Sequence, residues 1–337
     1  ISNAQKYIRR DEKADFDNTV REAKHHFGNN VTVIQYPLQQ GEGFHAIIDV
    51  LRMTMYKFKD TGGKPEKLAI PPEEKEKADL LHKELIEAVA GNDETLMEKY
   101  FEKGELDEDE IKTGMKKAMI NHDLFPLFCL SAERNMGSGR LMGFIDNVCP
   151  SANEMPPQGS TKGEDIGCDA SKPVCAFVYK AISEPHVGEL SFMKVFSGTL
   201  KSGMDLINET TGVSEKLNQL FVMEGNKRNN VSELSAGDIG ATLKLKNTHV
   251  NNTLHERNVN YALQPIEFPS PNMSIAVRTV KKGEEEKLSA ALHQLRDEDP
   301  TLIVKVSSEL KQTIIYCQGD MHLAVIKWKL QHQHKVD

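Results

Sequence analysis

Residues 172–256 read KPVCAFVYKAISEPHVGELSFMKVFSGTLKSGMDLINETTGVSEKLNQLFVMEGNKRNNVSELSAGDIGATLKLKNTHVNNTLHE. Five short runs inside this stretch, 174–179, 190–196, 205–208, 216–221 and 241–245, have the β-branched and apolar content of strands. Gly188, Gly198, Gly203, Gly212, Gly225 and Gly237 separate them at the spacing of a small antiparallel barrel. The pattern predicts a β-barrel domain over 156–265, and the fold of the flanking segments is read outward from it.

Downstream, 275–280 reads as a strand. Leu288, Ala291, Leu292 and Leu295 form a helical stripe that stops at Asp299-Pro300. Runs 302–306 and 312–317 pair as strands before a second helix opens near Asp320. The order β-α-β-β-α is most of a split β-α-β sandwich, so 266–337 is expected to be a ferredoxin-like α+β domain.

Upstream, 151–171 is polar and rich in Pro and Gly, the composition of a linker. Before it, Phe16, Val20, Ala23 and Phe27 make a helical stripe stopped by Gly28, and 31–34 is β-branched. Run 124–130 is apolar throughout apart from Pro126, as a buried parallel strand would be. Leu141, Phe144, Ile145 and Val148 mark a closing helix. These are the end of an α/β sheet, interrupted by a helical insertion at about 60–120. Pro72 opens that insertion's first helix, with Glu73, Glu74 and Glu76 in its early turns and Ala78, Leu81, Leu85 and Ala88 on one face. The expected class is a multidomain chain, α/β over 1–155, then a β-barrel, then α+β.

With 337 residues, 39% hydrophobic and 27% charged, the chain has room for several cored domains and is neither membrane-spanning nor disordered in composition. No run of eighteen apolar residues exists. Five cysteines, an odd number without paired C-x-x-C motifs, argue against a disulfide framework and for a reducing, cytoplasmic setting. No secretory leader pattern opens the sequence. The net charge of −8 is concentrated: 60–117 carries 17 acidic and 10 basic residues, a net of −7. That excludes a uniformly basic nucleic-acid binder but not local basic patches.

Domain by domain the motifs resemble elongation factor G, the ribosomal translocase. In the first part, Gly41-Glu42-Gly43-Phe44 with Ile47-Ile48-Asp49-Val50 is similar to the family's strand-loop-helix after its guanine-recognition motif. Leu96-Met97-Glu98-Lys99-Tyr100 is similar to the subdomain inserted in its GTPase domain, and Ser131-Ala132 to its last guanine-loop motif. In the barrel, Glu184-Pro185-His186-Val187-Gly188, Phe196-Ser197-Gly198, Gly225-Asn226-Lys227-Arg228 and Ala236-Gly237-Asp238-Ile239 match in order. Glu298-Asp299-Pro300-Thr301 and Gly319-Asp320-Met321-His322-Leu323 follow in the third unit.

The resemblance implies the C-terminal part of a P-loop GTPase domain with its helical insertion, a translation-factor barrel, and a ferredoxin-like third domain. For the intact protein it implies GTP/GDP with Mg²⁺ and GTP-linked movement of tRNA and mRNA on a cytoplasmic ribosome, tRNA being reached only through further domains. It implies Ser131 and Ala132 as a guanine-loop remnant whose backbone N–H groups face the base. Lys227, Arg228 and His186 become contacts to small-subunit RNA, and Glu76, Asp79, Glu84 and Glu87 an acidic face for the large-subunit stalk protein.

The chain departs from the pattern where nucleotide is held. No G-x-x-x-x-G-K-[ST] occurs, and Tyr7-Ile8-Arg9-Arg10 stands where the family reads Asn-Lys-x-Asp. No bound cofactor, metal site, membrane contact or catalytic residue is therefore expected of this chain alone. His25, His26 and His322 read as surface or capped residues, and Cys168 with Cys175 lacks the second half of a zinc site. The plainer readings are solubility charges at Lys227 and Arg228 and a solvated face on the acidic helix. A ribosomal protection protein, a release-factor-type GTPase and a nucleotide-free ribosome or RNA interaction module are the rival functions. The helical insertion favours the elongation factor.

Overall fold

The computed structural model describes residues 14–337 except 92, 185–187, 244, 308, 310 and 311. It divides between Ser151 and Ala152 into two compact units.

The first unit opens with α1 (Phe16–Phe27). The Asp15 carboxylate caps it by accepting the Asn18 N–H at 2.9 Å, and Gly28 ends it with φ 84°. Phe16 and Val20 pack on the core, whereas Phe27 is 68% exposed. β1 (Val31–Val33) is buried, and β2 (Gln35–Pro37), β3 (Ala46–Asp49), β4 (Thr54–Lys57) and β5 (Glu66–Leu68) form a four-stranded antiparallel meander. The segment 41–50, which resembles a strand-loop-helix in sequence, is a short turn (Gly41–Gly43) that leads into strand β3. Ile48 pairs with Tyr36 on one side and Met55 on the other, and Ile47 and Ile48 are both fully buried. A β-branched run covered on both faces stays extended.

The insertion is helical as expected: α2 (Pro72–Ala90), α3 (Glu94–Lys103) and α4 (Glu108–Ile120). Pro72 takes the first helical position, and Ala78, Leu85, Ile86, Val89 and Ala90 are buried. Asp107 and Glu110 close a capping box on α4. A Cβ at Gly114 would stand 2.4 Å from Val89 Cγ1 and 2.7 Å from Leu96 Cδ1, so this glycine sets how closely α4 approaches α2 and α3. β6 (Phe125–Leu127) pairs with β1 in parallel, but Phe125 is exposed, so this strand is less buried than its apolar sequence suggested. α5 (Ser138–Asn147) buries Phe144. Its Arg140 lies over the Tyr56 ring at 4.3 Å and 3.5 Å from buried Asp49, whose carboxylate also accepts from Gln35 at 3.0 Å.

In the second unit β7 (Ser160–Lys162) is a strand within the stretch expected to be a linker. β8 (Cys175–Glu184), β9 (Gly188–Ser197), β10 (Thr199–Lys201), β11 (Asp205–Asn208), β12 (Ser214–Lys216), β13 (Leu220–Glu224), β14 (Lys227–Val231), β15 (Glu233–Ser235), β16 (Ile239–Leu243) and β17 (Thr253–His255) follow. The run 216–221 is therefore two strands. Eight of these make one sheet, β12-β11-β17-β8-β9-β16-β13-β14, and β10 pairs with β15. Leu206 of β11 and Leu220 of β13, far apart in that order, share one core with Val178, Met193, Leu200, Leu234 and Leu254. The sheet therefore curls around its own apolar face, as a barrel does.

β18 (Ala262–Leu263) pairs with β7 as a strap. Lys162 of β7 bonds Glu209, which also meets His255 Nε2 at 2.9 Å. Beyond the strap, β19 (Met273–Val277), α6 (Glu285–Glu298), β20 (Ile303–Ser307), β21 (Gln312–Cys317) and α7 (Asp320–His332) form the expected β-α-β-β-α unit, sheet order β19-β21-β20, all antiparallel. All four stripe residues of α6, Leu288, Ala291, Leu292 and Leu295, are buried.

Two motifs here lock together. Glu298 accepts from the Ser183 N–H of the barrel and from Lys329 Nζ, both at 3.0 Å. Asp299 takes the Thr301 N–H and hydroxyl and stands 3.1 Å from His322 Nε2. The Gln318 N–H donates to His322 Nδ1, which makes Nε2 the proton-bearing nitrogen that faces Asp299.

The strap contact has a pH signature. Lys162, and less strongly His255, hold the Glu209 carboxyl below the usual range against the opposing effect of burial. A depressed carboxylate stabilises the fold fully above its unfolded value of about 4.3 and loses that contribution as pH falls through the folded value. Glu209→Gln is expected to lower stability at pH 7 by about 1 kcal/mol. It should also flatten the fall in urea midpoint between about pH 5 and pH 3. An unchanged acid profile in the variant contradicts the assignment.

Candidate functional site

Three surfaces carry the residues singled out in the sequence. The first is a cleft of about 310 Å³ in the first unit, lined by Phe16, Pro37, Gln40, Phe44, Phe128 and Ser131 among others. Ser131 and Met136 exchange backbone hydrogen bonds of 2.9 Å each, and the Asn135 N–H bonds the Ala132 carbonyl at 3.1 Å. The Ser131 N–H is thus spent on its own hairpin. Asp15 also lines the cleft, a residue that sequence reasoning passed over. Its signal was present as the acidic cap before the α1 stripe. Gln40 Oε1 accepts the Phe16 N–H and ties the helix start to the opposite wall. The result is an apolar slot with one carboxylate at its rim, able to hold a flat ring but offering no cradle for phosphates among the described residues. Tyr7, Ile8, Arg9 and Arg10 lie outside those residues.

The second surface is the outer face of α2. Glu76, Asp79, Glu84 and Glu87 are all exposed there, as expected. Leu80, 58% exposed, lies one turn from both Glu76 and Glu84, so the acidic face has an apolar centre. Lys83 offsets part of the charge, 3.7 Å from Glu87.

The third is the β13–β14 hairpin. Its two-residue turn is Gly225-Asn226, with Gly225 at φ 58°, the left-handed geometry that such turns need. Lys227 and Arg228 therefore begin β14 rather than occupy the turn, because Glu224 pairs with Lys227 and Met223 with Arg228. Lys227 Nζ is 3.7 Å from Glu224 Oε2, and both side chains are exposed, so this pair contributes little and a stronger anion can displace it. Arg228 is half-buried at the base of the same tip. His186 lies outside the described residues. Among those residues no cluster of three or more His, Cys, Asp or Glu could hold a metal ion, and all five cysteines are unpaired thiols. No helix among them is long and apolar enough to cross a membrane.

Residues 173–257, the barrel, match the family model of elongation factor G domain 2, and residues 268–337 match that of elongation factor G domain III. The barrel and the unit that follows it are thus elongation factor G domains, in the order domain 2 then domain III. A crystal structure of a protein from Thermus thermophilus is similar to it at 26% identity and a TM-score of 0.83, covering 97% of this chain and 47% of that one. The chain thus spans about half the length of that protein. In the family's terms the barrel is domain 2 and the β-α-β-β-α unit is domain III, joined by the Glu298 contact to Ser183.

The cleft generates a direct expectation. Titration with fluorescent GDP and Mg²⁺ should show no saturable binding to this chain up to high micromolar, because nothing in its 337 residues supplies a phosphate-binding loop. Guanine-specific binding would mean that the slot holds the base without that loop.

Proposed function

We propose that this chain supplies the ribosome-docking part of a translational GTPase of the elongation factor G type, whose intact form promotes GTP-dependent movement of tRNA and mRNA. The observation that carries this reading is the succession of domain 2 and domain III, matched in order along one compact unit. The β13–β14 hairpin, with Lys227 at its tip, meets phosphates of small-subunit RNA, a contact that positions without reading sequence. The acidic face of α2 receives lysines of the large-subunit stalk protein. Exposed charges of this kind raise encounter rate more than affinity, and Leu80 adds an apolar anchor at their centre. GTP and Mg²⁺ act in the intact protein, and this chain alone is not a GTPase. Its place of work is the cytoplasm.

Pelleting with ribosomes tests the reading. The chain is expected to cosediment without added nucleotide, with affinity falling as salt rises from about 50 to about 200 mM. The double variant Lys227→Glu/Arg228→Glu should weaken pelleting about tenfold, the loss of two phosphate contacts with like charge in their place. Absence of pelleting at low salt overturns the reading, and an unaffected double variant removes the hairpin from it.

A further inference from the structure

The outer face of the barrel carries a feature that neither the hairpin nor the acidic helix uses. Phe177 and Tyr179 of β8 and Phe192, Lys194 and Phe196 of β9 lie on the other side of the sheet from Val178, Met193 and Val195, which fill the barrel core. Phe177 is buried there with Ile166 and Leu263, and Tyr179 and Phe196 pack half-buried against it. The β8–β9 register pairs Val178 with Met193 and Lys180 with Phe192, which leaves Tyr179 as the extra residue of a bulge. A bulge re-aims a side chain, and this one brings Tyr179 and Lys180 to the same outer face. Tyr179 and Phe192 rings lie 6.5 Å apart. Lys180 Nζ stands 5.4 Å from the Phe192 ring centre and Lys194 Nζ 4.9 Å from that of Phe196.

Beside this ladder is a cavity of about 400 Å³, lined by Phe177, Tyr179, Lys194, Phe196 and 56%-exposed Ile239, with Gln158 and Gln264 among its polar groups. Its described lining contains one cation and no carboxylate, in a chain of net charge −8. A pocket walled by aromatic rings, with amides able to meet a base edge and lysines alongside, is complementary to one unstacked nucleotide: ring on ring, phosphate on ammonium. An apolar peptide would leave Lys194 without a counter-charge, and an acidic peptide would leave the rings unused.

We infer that the outer face of β8 and β9 is a second RNA site, which takes one unstacked nucleobase of single-stranded RNA between Tyr179 and Phe196 and its phosphate at Lys194. This extends the ribosome-docking reading to a site apart from the β13–β14 hairpin.

The test is fluorescence anisotropy of the full chain with labelled hexauridylate and hexaadenylate, alongside the same hexamers made abasic. Both intact hexamers should bind, and the abasic ones about tenfold more weakly, the worth of one stacked base. A hexamer carrying 4-thiouridine should crosslink to the peptides that contain Tyr179 or Phe196. Lys194→Glu should weaken both intact hexamers about tenfold, and since the abasic comparison uses the unaltered chain, it stands even if the variant folds poorly. Equal affinity for intact and abasic strands, crosslinks confined to other peptides, or no binding overturns the inference. Ribosome pelleting that persists while the hexamers fail to bind overturns this inference alone and leaves the docking reading in place.

Discussion

Asn208 pins the end of β11 in the barrel on which every proposed contact of the second unit stands. Its side chain is fully buried, and its amide nitrogen reaches the Asn247 carbonyl, Thr248 Oγ1 and Asn252 Oδ1 at 2.8 to 3.0 Å. Its oxygen accepts the N–H groups of Thr210 and Thr211. Glu215 adds bonds to Lys246, Asn247 and Thr248 from the next strand. A buried amide satisfied on both ends is worth more to specificity than to net stability, since each orphaned partner costs about 1 to 3 kcal/mol. The network ties the end of β11 to the loop that enters β17. With that loop pinned, β17 meets β8 in one register, and β8 in turn sets the bulge at Tyr179 and the Ser183 N–H that Glu298 holds.

The contact at Glu298 gives the family's Glu-Asp-Pro-Thr motif a physical content. Glu298 divides its carboxylate between the barrel backbone and Lys329 of α7, while Asp299 next to it orders Thr301 and faces His322. One tetrapeptide therefore fixes the end of α6, the start of α7 and the meeting of domain III with domain 2. Each carboxylate has its partners, the Ser183 N–H and Lys329 for Glu298, Thr301 and His322 for Asp299, and together these polar contacts hold the junction.

Much of this was legible in the sequence, for reasons that separate the elements. The α6 stripe and its Asp-Pro stop are local signals, as is the Pro72 start of α2. The long strands β8 and β9 show their alternation within ten residues each. What escaped were pieces with too little strand character of their own to be read without their partners. β14 begins with Lys227, Arg228, Asn229 and Asn230, which have little strand character and pair only because β13 lies beside them. β7 extends because β18, a hundred residues later, covers it. The β3 run escaped differently, since an apolar stretch covered on both faces has no period to read. At the sites, the charges of α2 and the hairpin could be named from residue type. The aromatic face could not, because Phe177 and Tyr179 meet Lys194 and Phe196 only through a register that contains a bulge.

The central claim is that domain 2 of this chain meets the small ribosomal subunit through its RNA. Cryo-electron microscopy of the chain bound to ribosomes tests it most directly. The account predicts the barrel seated on small-subunit RNA, with the tip of the β13–β14 hairpin against phosphates. A barrel seated on ribosomal protein, or turned so that this hairpin faces solvent, would contradict it.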